Sequence, residues 1–355
     1  MYSSIYNFKN LLIAYRQACK NNRYKISTLK YSLYLENYLF DLEKKLLTET
    51  YKPQPYRQFV VTEPKRRKIS APEFEDRIVQ HSLVNEIEPI FEKKFIYDNY
   101  ACRKNKGTHF ALHRVKKFLQ SSRSCYPNQD IYFLKCDIKK FFQSISWDVL
   151  LEIISSEIFD PQIFNLLKKF IVDFSVYGVA KTDLVQGNLF EPLDDSPVSV
   201  SQRRGLPIGN LTSQLLANVY LDQLDQFVKH QLHQKWYGRY MDDFFIISPD
   251  KEKLKEIKII INDFLKQRLK LSLHPNKSLI KNTKDGLCFV GYRIFSDHIL
   301  IRGSTLIRFQ KRYAKKLKKY RHQHLTHEEL IKCQQSFNGH LKHANAYRLS
   351  QSMFR

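Results

Sequence analysis

The stretch WYGRYMDDFFIIS, residues 236–248, sets two short apolar runs on either side of Met241, Asp242 and Asp243. Aromatic and β-branched residues on both flanks predict strands at 236–240 and 244–248, and the polar interruption predicts a tight turn. A hairpin of this kind holds its turn carboxylates rigidly at the tip. Two adjacent acids repel one another there unless a cation sits between them, although aspartate is also an ordinary turn former. Acids are the minority in this chain: 59 Lys and Arg against 35 Asp and Glu leave a net charge of +24 over 355 residues. Where the acids fall therefore carries information.

Upstream, IYFLKCDI (131–138) reads as a buried strand ending in a second acid. Strand alternation puts Phe133, Lys135 and Asp137 on one face and Cys136 on the other. An acid that ends a buried strand is most often a cap or turn residue. Beside the hairpin it gains a second reading, because one carboxylate from a strand and two from a neighbouring turn could hold two Mg²⁺ ions. Mg²⁺ takes hard oxygen ligands and keeps positions for substrate phosphates, and two ions ~3.5–4 Å apart serve in-line phosphoryl transfer. Between these segments lies GLPIGNLTSQLLANVYLDQLD (205–225). Gly205, Pro207 and Gly209 predict a loop and Leu211 the start of a helix, a junction where backbone can approach a planar or phosphorylated ligand. Alone, this is an ordinary loop–helix junction.

The remainder predicts an α+β chain with strands concentrated in the middle. The first fifty residues, 74–95, 147–154, 163–172, 211–230 and 251–268 read as helical, and 279–283 with 287–295 as a strand pair. Residues 177–204 are turn-rich and polar. From Arg302 to Arg321 the chain is crowded with lysine and arginine and has no acid, while Leu306, Phe309, Tyr313, Leu317 and Tyr320 recur at helical spacing. Such a helix is either a solvated face or a surface for a phosphate backbone. KRRK at 65–68 and KNKG at 104–107 add further positive charge. An apolar share of 43% excludes wholesale disorder. Six cysteines stand alone without a CxxC pair, which favours reduced thiols over a zinc ribbon. No run is long and apolar enough for a membrane span, and the first residues lack a leader-like h-region, so a cytoplasmic protein is expected.

The order of these pieces resembles that of reverse transcriptases: a strand ending in Asp137, a GLPxG loop into a helix, then YMDD at 240–243. Residues 65–112 resemble the fingers of group II intron-like bacterial members, and LSLHPNKSLI (271–280) with LCFVGYRIF (287–295) resemble the last two palm motifs. The resemblance implies a right-hand polymerase: N-terminal helices and fingers over 1–130, a palm with an antiparallel sheet and helices over 131–300, and a short, basic helical thumb over 301–355. One departure narrows it. Most members carry Gln-Gly-x-x-x-Ser-Pro in the loop–helix motif, whereas here Ile208 to Gln214 reads IGNLTSQ. That pattern, and SFNGHLKHANAYRL at 336–349, resemble the bacterial or phage enzymes of diversity-generating retroelements, with no room for the maturase and endonuclease domains of intron-encoded relatives.

The resemblance implies roles. Asp137, Asp242 and the Ile138 carbonyl would hold two Mg²⁺ ions, with Mn²⁺ as a substitute, and Asp243 would support them. Phe142 falls at the steric gate that selects deoxynucleotides. Arg77, with Arg67 or Lys68, would clamp the dNTP triphosphate, while Ile208, Gly209 and Gln214 would line the nucleotide pocket. Lys277 matches a lysine proposed to protonate pyrophosphate. Arg308, Lys311, Arg312, Lys315, Lys316 and Lys319 would contact template RNA and the RNA–DNA hybrid. A small accessory variability protein is the implied partner. Two other readings stay open: another bacterial reverse transcriptase of phage-defence or retron-like type, and a non-catalytic, maturase-like RNA scaffold.

Overall fold

The computed structural model describes residues 2–62, 66–172, 179–180 and 203–353. The turn-rich segment at 177–204 therefore lies almost wholly outside the described residues, as does Lys65 of the KRRK block. The fold is α+β, and the chain forms two compact units that interleave along the sequence. The first comprises Met1–Ile96, Ile138–Gln226 and Asp263–Ser272, and the second Tyr97–Asp137, Phe227–Asn262 and Leu273–Arg355.

The first unit begins with four helices, Tyr2–Tyr6, Phe8–Cys19, Ile26–Leu33 and Leu35–Leu47. An antiparallel pair follows, Tyr56–Val61 with Arg67–Ala71, and Val179–Ala180 adds to it in parallel. Helix Phe74–Glu92 buries Ile78, Val79, Leu83, Ile87 and Phe91. Asp76 is buried in its first turn. Its two oxygens accept from the Tyr51 hydroxyl (2.6 Å) and the Gln54 backbone N–H (3.0 Å). Helix Pro161–Ile171 begins two residues before its predicted start, with a cap: Asp160 accepts from the N–H groups of Gln162 and Ile163, and proline occupies the first turn. Trp147–Ser155 and Leu211–Gln226 complete the helices used below.

The second unit is built on a four-stranded sheet in the order Tyr237–Tyr240, Asp243–Ser248, Tyr132–Asp137, Leu279–Asn282. All neighbours are antiparallel. Tyr132–Asp137 is internal and packs on both faces, which explains why its sequence reads as almost continuously apolar. Phe133, Phe245 and Ile247 join a core with Leu112, Val115 and Phe118 of helix Thr108–Cys125. Each such buried side chain contributes about 1.5–3 kcal/mol. The segments at 279–283 and 287–295 do not pair with each other. Leu279–Asn282 joins the four-stranded sheet, whereas Leu287–Phe289 starts a separate sheet with Tyr292–Ile294 and Ile299–Ile301. Gly286 at φ +73° and the short helical turn Thr283–Asp285 redirect the chain between them. Helix Gly303–Arg321 forms, but of its predicted stripe only Phe309 is buried, with Leu306 and Tyr313 packed beside it and Tyr320 exposed; Phe309 stacks on Phe337 at 3.7 Å. Phe337 lies in helix His327–Leu341, which starts with a capping box of Thr326 and Glu329.

The outer strand of the hairpin receives a strap. Arg239 N–H donates to the Asp98 carbonyl (2.9 Å) and Tyr100 N–H donates to the Arg239 carbonyl (3.0 Å). The strap is fixed in turn by a two-pronged ion pair from Arg114 to Asp98, at 2.8 and 3.0 Å. A Cβ on Gly238 would meet the Tyr100 hydroxyl at 2.6 Å and the Phe245 ring at 3.0 Å, and both rings are fully buried. Gly238→Ala is therefore expected to cost about 1–3 kcal/mol. Tyr100→Phe in the same chain should recover part of that cost by removing the nearest atom. Thermal denaturation of both singles and the double checks this, and strictly additive losses would contradict the clash.

Candidate active site

The two-residue turn Met241–Asp242 joins Tyr240 to Asp243, which are cross-strand partners. Met241 takes φ +54°, a left-handed conformation that side chains other than glycine seldom adopt. Beneath it Arg239, fully buried, donates Nη1 to the Met241 carbonyl at 3.1 Å. The guanidinium thus secures the peptide unit that leads into Asp242, a role that nothing in the sequence pattern announces.

Strand register then brings the acids together. Asp137 is the direct antiparallel partner of Asp243, so their side chains share one face of the sheet. The resemblance couples Asp137 with Asp242; the residue opposite it in the register is Asp243, and Asp242 sits half-buried in the turn. Two lysines answer the acids. Lys135 Nζ lies 3.0 Å from Asp243 Oδ2, and Lys277 Nζ lies 3.1 Å from Asp137 Oδ1. The Asp243 side chain is 27% exposed, yet its Oδ1 is buried without a hydrogen-bond partner. Burial pushes the Asp243 carboxyl up to about 7; Lys135 opposes the shift, and Asp242 and Asp137 add to it. On the reverse face, burial pushes the Cys136 thiol up to about 12 and keeps it inert.

Among the described residues, no three His, Cys, Asp or Glu side chains are arranged to hold a metal ion as they stand. The donor set nevertheless suits Mg²⁺ or Mn²⁺: hard carboxylate oxygens, converging by strand register, with one buried oxygen lacking any donor. A cation there would satisfy Oδ1 and relieve the repulsion among the acids.

In the first unit, residues 203–211 are tied to neighbouring elements by a set of hydrogen bonds. Gly205 N–H donates to the Ile145 carbonyl and Leu206 N–H to that of Phe142, both at 2.8 Å, while Trp147 Nε1 donates to the Gly205 carbonyl at 2.6 Å. The Ile208 carbonyl accepts from Ser70 N–H at 2.9 Å. Gly209 has φ +130°, and a Cβ on it would lie 2.5 Å from the Ser70 carbonyl oxygen, so only glycine fits. Asn210 donates to the Tyr56 hydroxyl (2.7 Å), and Gln80 accepts the Leu211 N–H (3.1 Å). Of the adjacent phenylalanines, Phe141 enters the core and Phe142 stays half-buried. Arg67 and Lys68 are consecutive in a strand and so point to opposite faces; only one can act on a given side. Arg77, half-buried, donates Nε to the Pro72 carbonyl at 3.3 Å. Gln214 is exposed in the first turn of its helix and Ile138 is buried; of Arg308, Lys311, Arg312, Lys315, Lys316 and Lys319 on helix Gly303–Arg321, all but the half-buried Lys316 are exposed. Sequence reasoning placed Lys135 on the acid face but missed its ion pair, which follows only from the diagonal across two strands.

The family described as reverse transcriptase (RNA-dependent DNA polymerase) matches residues 52–294. Protein YkfC of Escherichia coli (strain K12) is 25% identical over 287 residues, covering 71% of this chain and 70% of that protein. The group II intron-encoded protein LtrA of Lactococcus lactis subsp. cremoris is 23% identical over 310 residues, covering 69% of this chain and 47% of LtrA. Two telomerase structures from Candida tropicalis each superpose with a TM-score of 0.51. The apo form truncated from its C-terminal domain is 14% identical and covers 74% of this chain, and the complex with a fragment of telomeric RNA is 13% identical and covers 87%. The chain spans 59% of either telomerase chain. At such identity the likeness shows the fold, a right-hand polymerase, as the sequence predicts. No described helix is long and apolar enough to cross a membrane.

The raised Asp243 pKa fixes the sign of a pH effect. In the unfolded chain the carboxyl ionises near 3.8 and in the folded chain near 7. The contribution of this carboxyl to stability therefore falls as pH rises from about 4 to 7 and is level above that. In metal-free buffer the wild type should lose on the order of 2 kcal/mol over this window that Asp243→Asn does not lose. Thermal melts at stepped pH in chelator check this, and parallel curves would contradict it.

Proposed function

The chain belongs to the reverse transcriptase (RNA-dependent DNA polymerase) family, and on that premise we propose that it extends a primer 3′ end with dNTPs on an RNA template, as the error-prone polymerase of a diversity-generating retroelement. The observation that carries the polymerase reading is the register that sets Asp137 opposite Asp243 at the tip of the YMDD hairpin. Asp137, Asp242 and the Ile138 carbonyl are the proposed ligands of two divalent cations, with Asp243 in support. When bound, such ions sharpen a 3′-oxygen as nucleophile and neutralise a triphosphate and its leaving pyrophosphate. Lys277 is the proposed proton donor to the pyrophosphate. Arg77, with Arg67 or Lys68, is assigned to the triphosphate, and Gln214 to the nucleotide pocket. Phe142, half-buried rather than packed away, is assigned to exclusion of a ribose 2′-oxygen.

The error-prone part of the reading rests on Ile208. Its carbonyl is tied to Ser70 and its neighbour Gly209 is pressed against the same residue, so the backbone is set and the side chain at 208 is what can change. A glutamine at this place offers a hydrogen bond near the incoming sugar and base, and an isoleucine offers only shape. Losing one such contact reduces discrimination by about 1–3 kcal/mol. Template RNA, the RNA–DNA hybrid on the thumb lysines and arginines, and a small accessory variability protein are the proposed partners. A likeness to a telomerase solved in complex with a fragment of telomeric RNA supports the first of these.

A primed RNA template with four dNTPs and Mg²⁺, followed by cDNA sequencing, tests the proposal. Extension is expected from the wild type, with errors concentrated at template adenines, and none from Asp242→Asn/Asp243→Asn. Ile208→Gln should lower misinsertion at adenine by about one to two decades; unchanged errors would remove Ile208 from the account. Accurate extension by the wild type would favour a phage-defence or retron-like enzyme. No extension even with cognate RNA and accessory protein would favour a scaffold. In binding assays, Lys311→Ala/Lys315→Ala/Lys319→Ala should weaken RNA–DNA hybrid binding and reduce the slope of log affinity against log salt by about 3. An unchanged slope would take the thumb helix out of the interface.

A further inference from the structure

Lys135 has no part in the roles assigned so far, yet it is the nearest cation to Asp243. Its Nζ stands 3.0 Å from Asp243 Oδ2, with the side chain 21% exposed. Lys135 is held in an internal strand, paired with Phe245 on one side and Leu279 on the other, so its backbone cannot withdraw. Lys277, the partner of Asp137, comes from an exposed turn and is itself 43% exposed. Each of the two facing acids thus meets a cation of the protein's own, one anchored and one free to swing away. Asp243 still keeps a buried oxygen without a donor.

We propose that Lys135, held on the supporting Asp243, is a built-in counter-ion that weakens divalent-cation binding to the Asp137, Asp242 and Asp243 carboxylates in the free enzyme, so that the cation is taken up together with the nucleotide triphosphate. The inference rests on the metal-dependent polymerase reading above. An ammonium fixed on one Asp243 oxygen shares that carboxylate with any arriving cation and repels it across a few ångströms. At that range, even with water-like screening, one unit charge changes the affinity for a divalent ion by at least about tenfold. The phosphates of a nucleotide bring negative charge that offsets the ammonium, so the penalty shrinks once both are present. The lysine also holds Asp243 in place meanwhile, which spares the hairpin tip from the mutual repulsion of its acids.

Mn²⁺ binding to the full chain, read by electron paramagnetic resonance of free Mn²⁺ without primer, template or nucleotide, tests this. Lys135→Met should bind Mn²⁺ about tenfold more tightly than the wild type, and Lys135→Arg, which keeps the charge, should stay within about twofold. Adding a dNTP should bring wild type and Lys135→Met to within about threefold. Lys135→Gln replaces the methionine variant should that one fail to fold, as judged by circular dichroism. Equal or weaker Mn²⁺ binding by the folded, uncharged variant overturns the role of Lys135. Wild-type binding that persists in Asp242→Asn/Asp243→Asn overturns the metal-site reading itself, and this inference with it.

Discussion

Two carboxylates are forced to face each other across an antiparallel ladder, and much of the second unit can be understood as what makes that tolerable. Asp137 and Asp243 share a register position that neither can leave without shifting a whole strand to the wrong face. The ladder itself is held by Phe133, Leu134, Phe244, Phe245 and Ile246, all buried. The acids in turn draw Lys135 and Lys277 toward them. The turn beyond is held by a buried arginine on the Met241 carbonyl. The site is thus a place where local repulsion is imposed by global packing, as is common where stability yields to function.

The first unit applies a different constraint. Its loop is fixed through the backbone groups of Gly205, Leu206, Ile208 and Leu211 and the side chain of Asn210. The contact of Gly209 with the Ser70 carbonyl leaves no room for adjustment. A loop set in this way separates two properties that usually vary together. The path of the chain is insensitive to the side chain at 208, so exchange at that position alters what a ligand would meet without altering where the loop lies.

The hairpin, the strand ending in Asp137 and the loop–helix junction were legible because each depends on local periodicity and turn chemistry. The helix caps at Asp160 and Thr326 went unread, although both are short-range signals. What escaped was pairing over distance. Residues near 279 and 287 look like neighbouring strands, but a glycine at φ +73° separates them into different sheets. Lys135 sat on the acid face by alternation, and its bond to Asp243 needed the neighbouring strand's register. Arg239 was least visible of all: a basic residue in a strand carries no sign that it will be fully buried.

The strap at Asp98–Tyr100 reaches beyond the site it braces. Tyr237–Tyr240 lies at the border of its sheet, where unpaired backbone groups would otherwise template the addition of a foreign strand. The strap occupies the two groups of Arg239 that such a strand would use. In a chain this rich in aromatic residues, the same few hydrogen bonds that steady the hairpin also guard the molecule against self-association through its own β-structure.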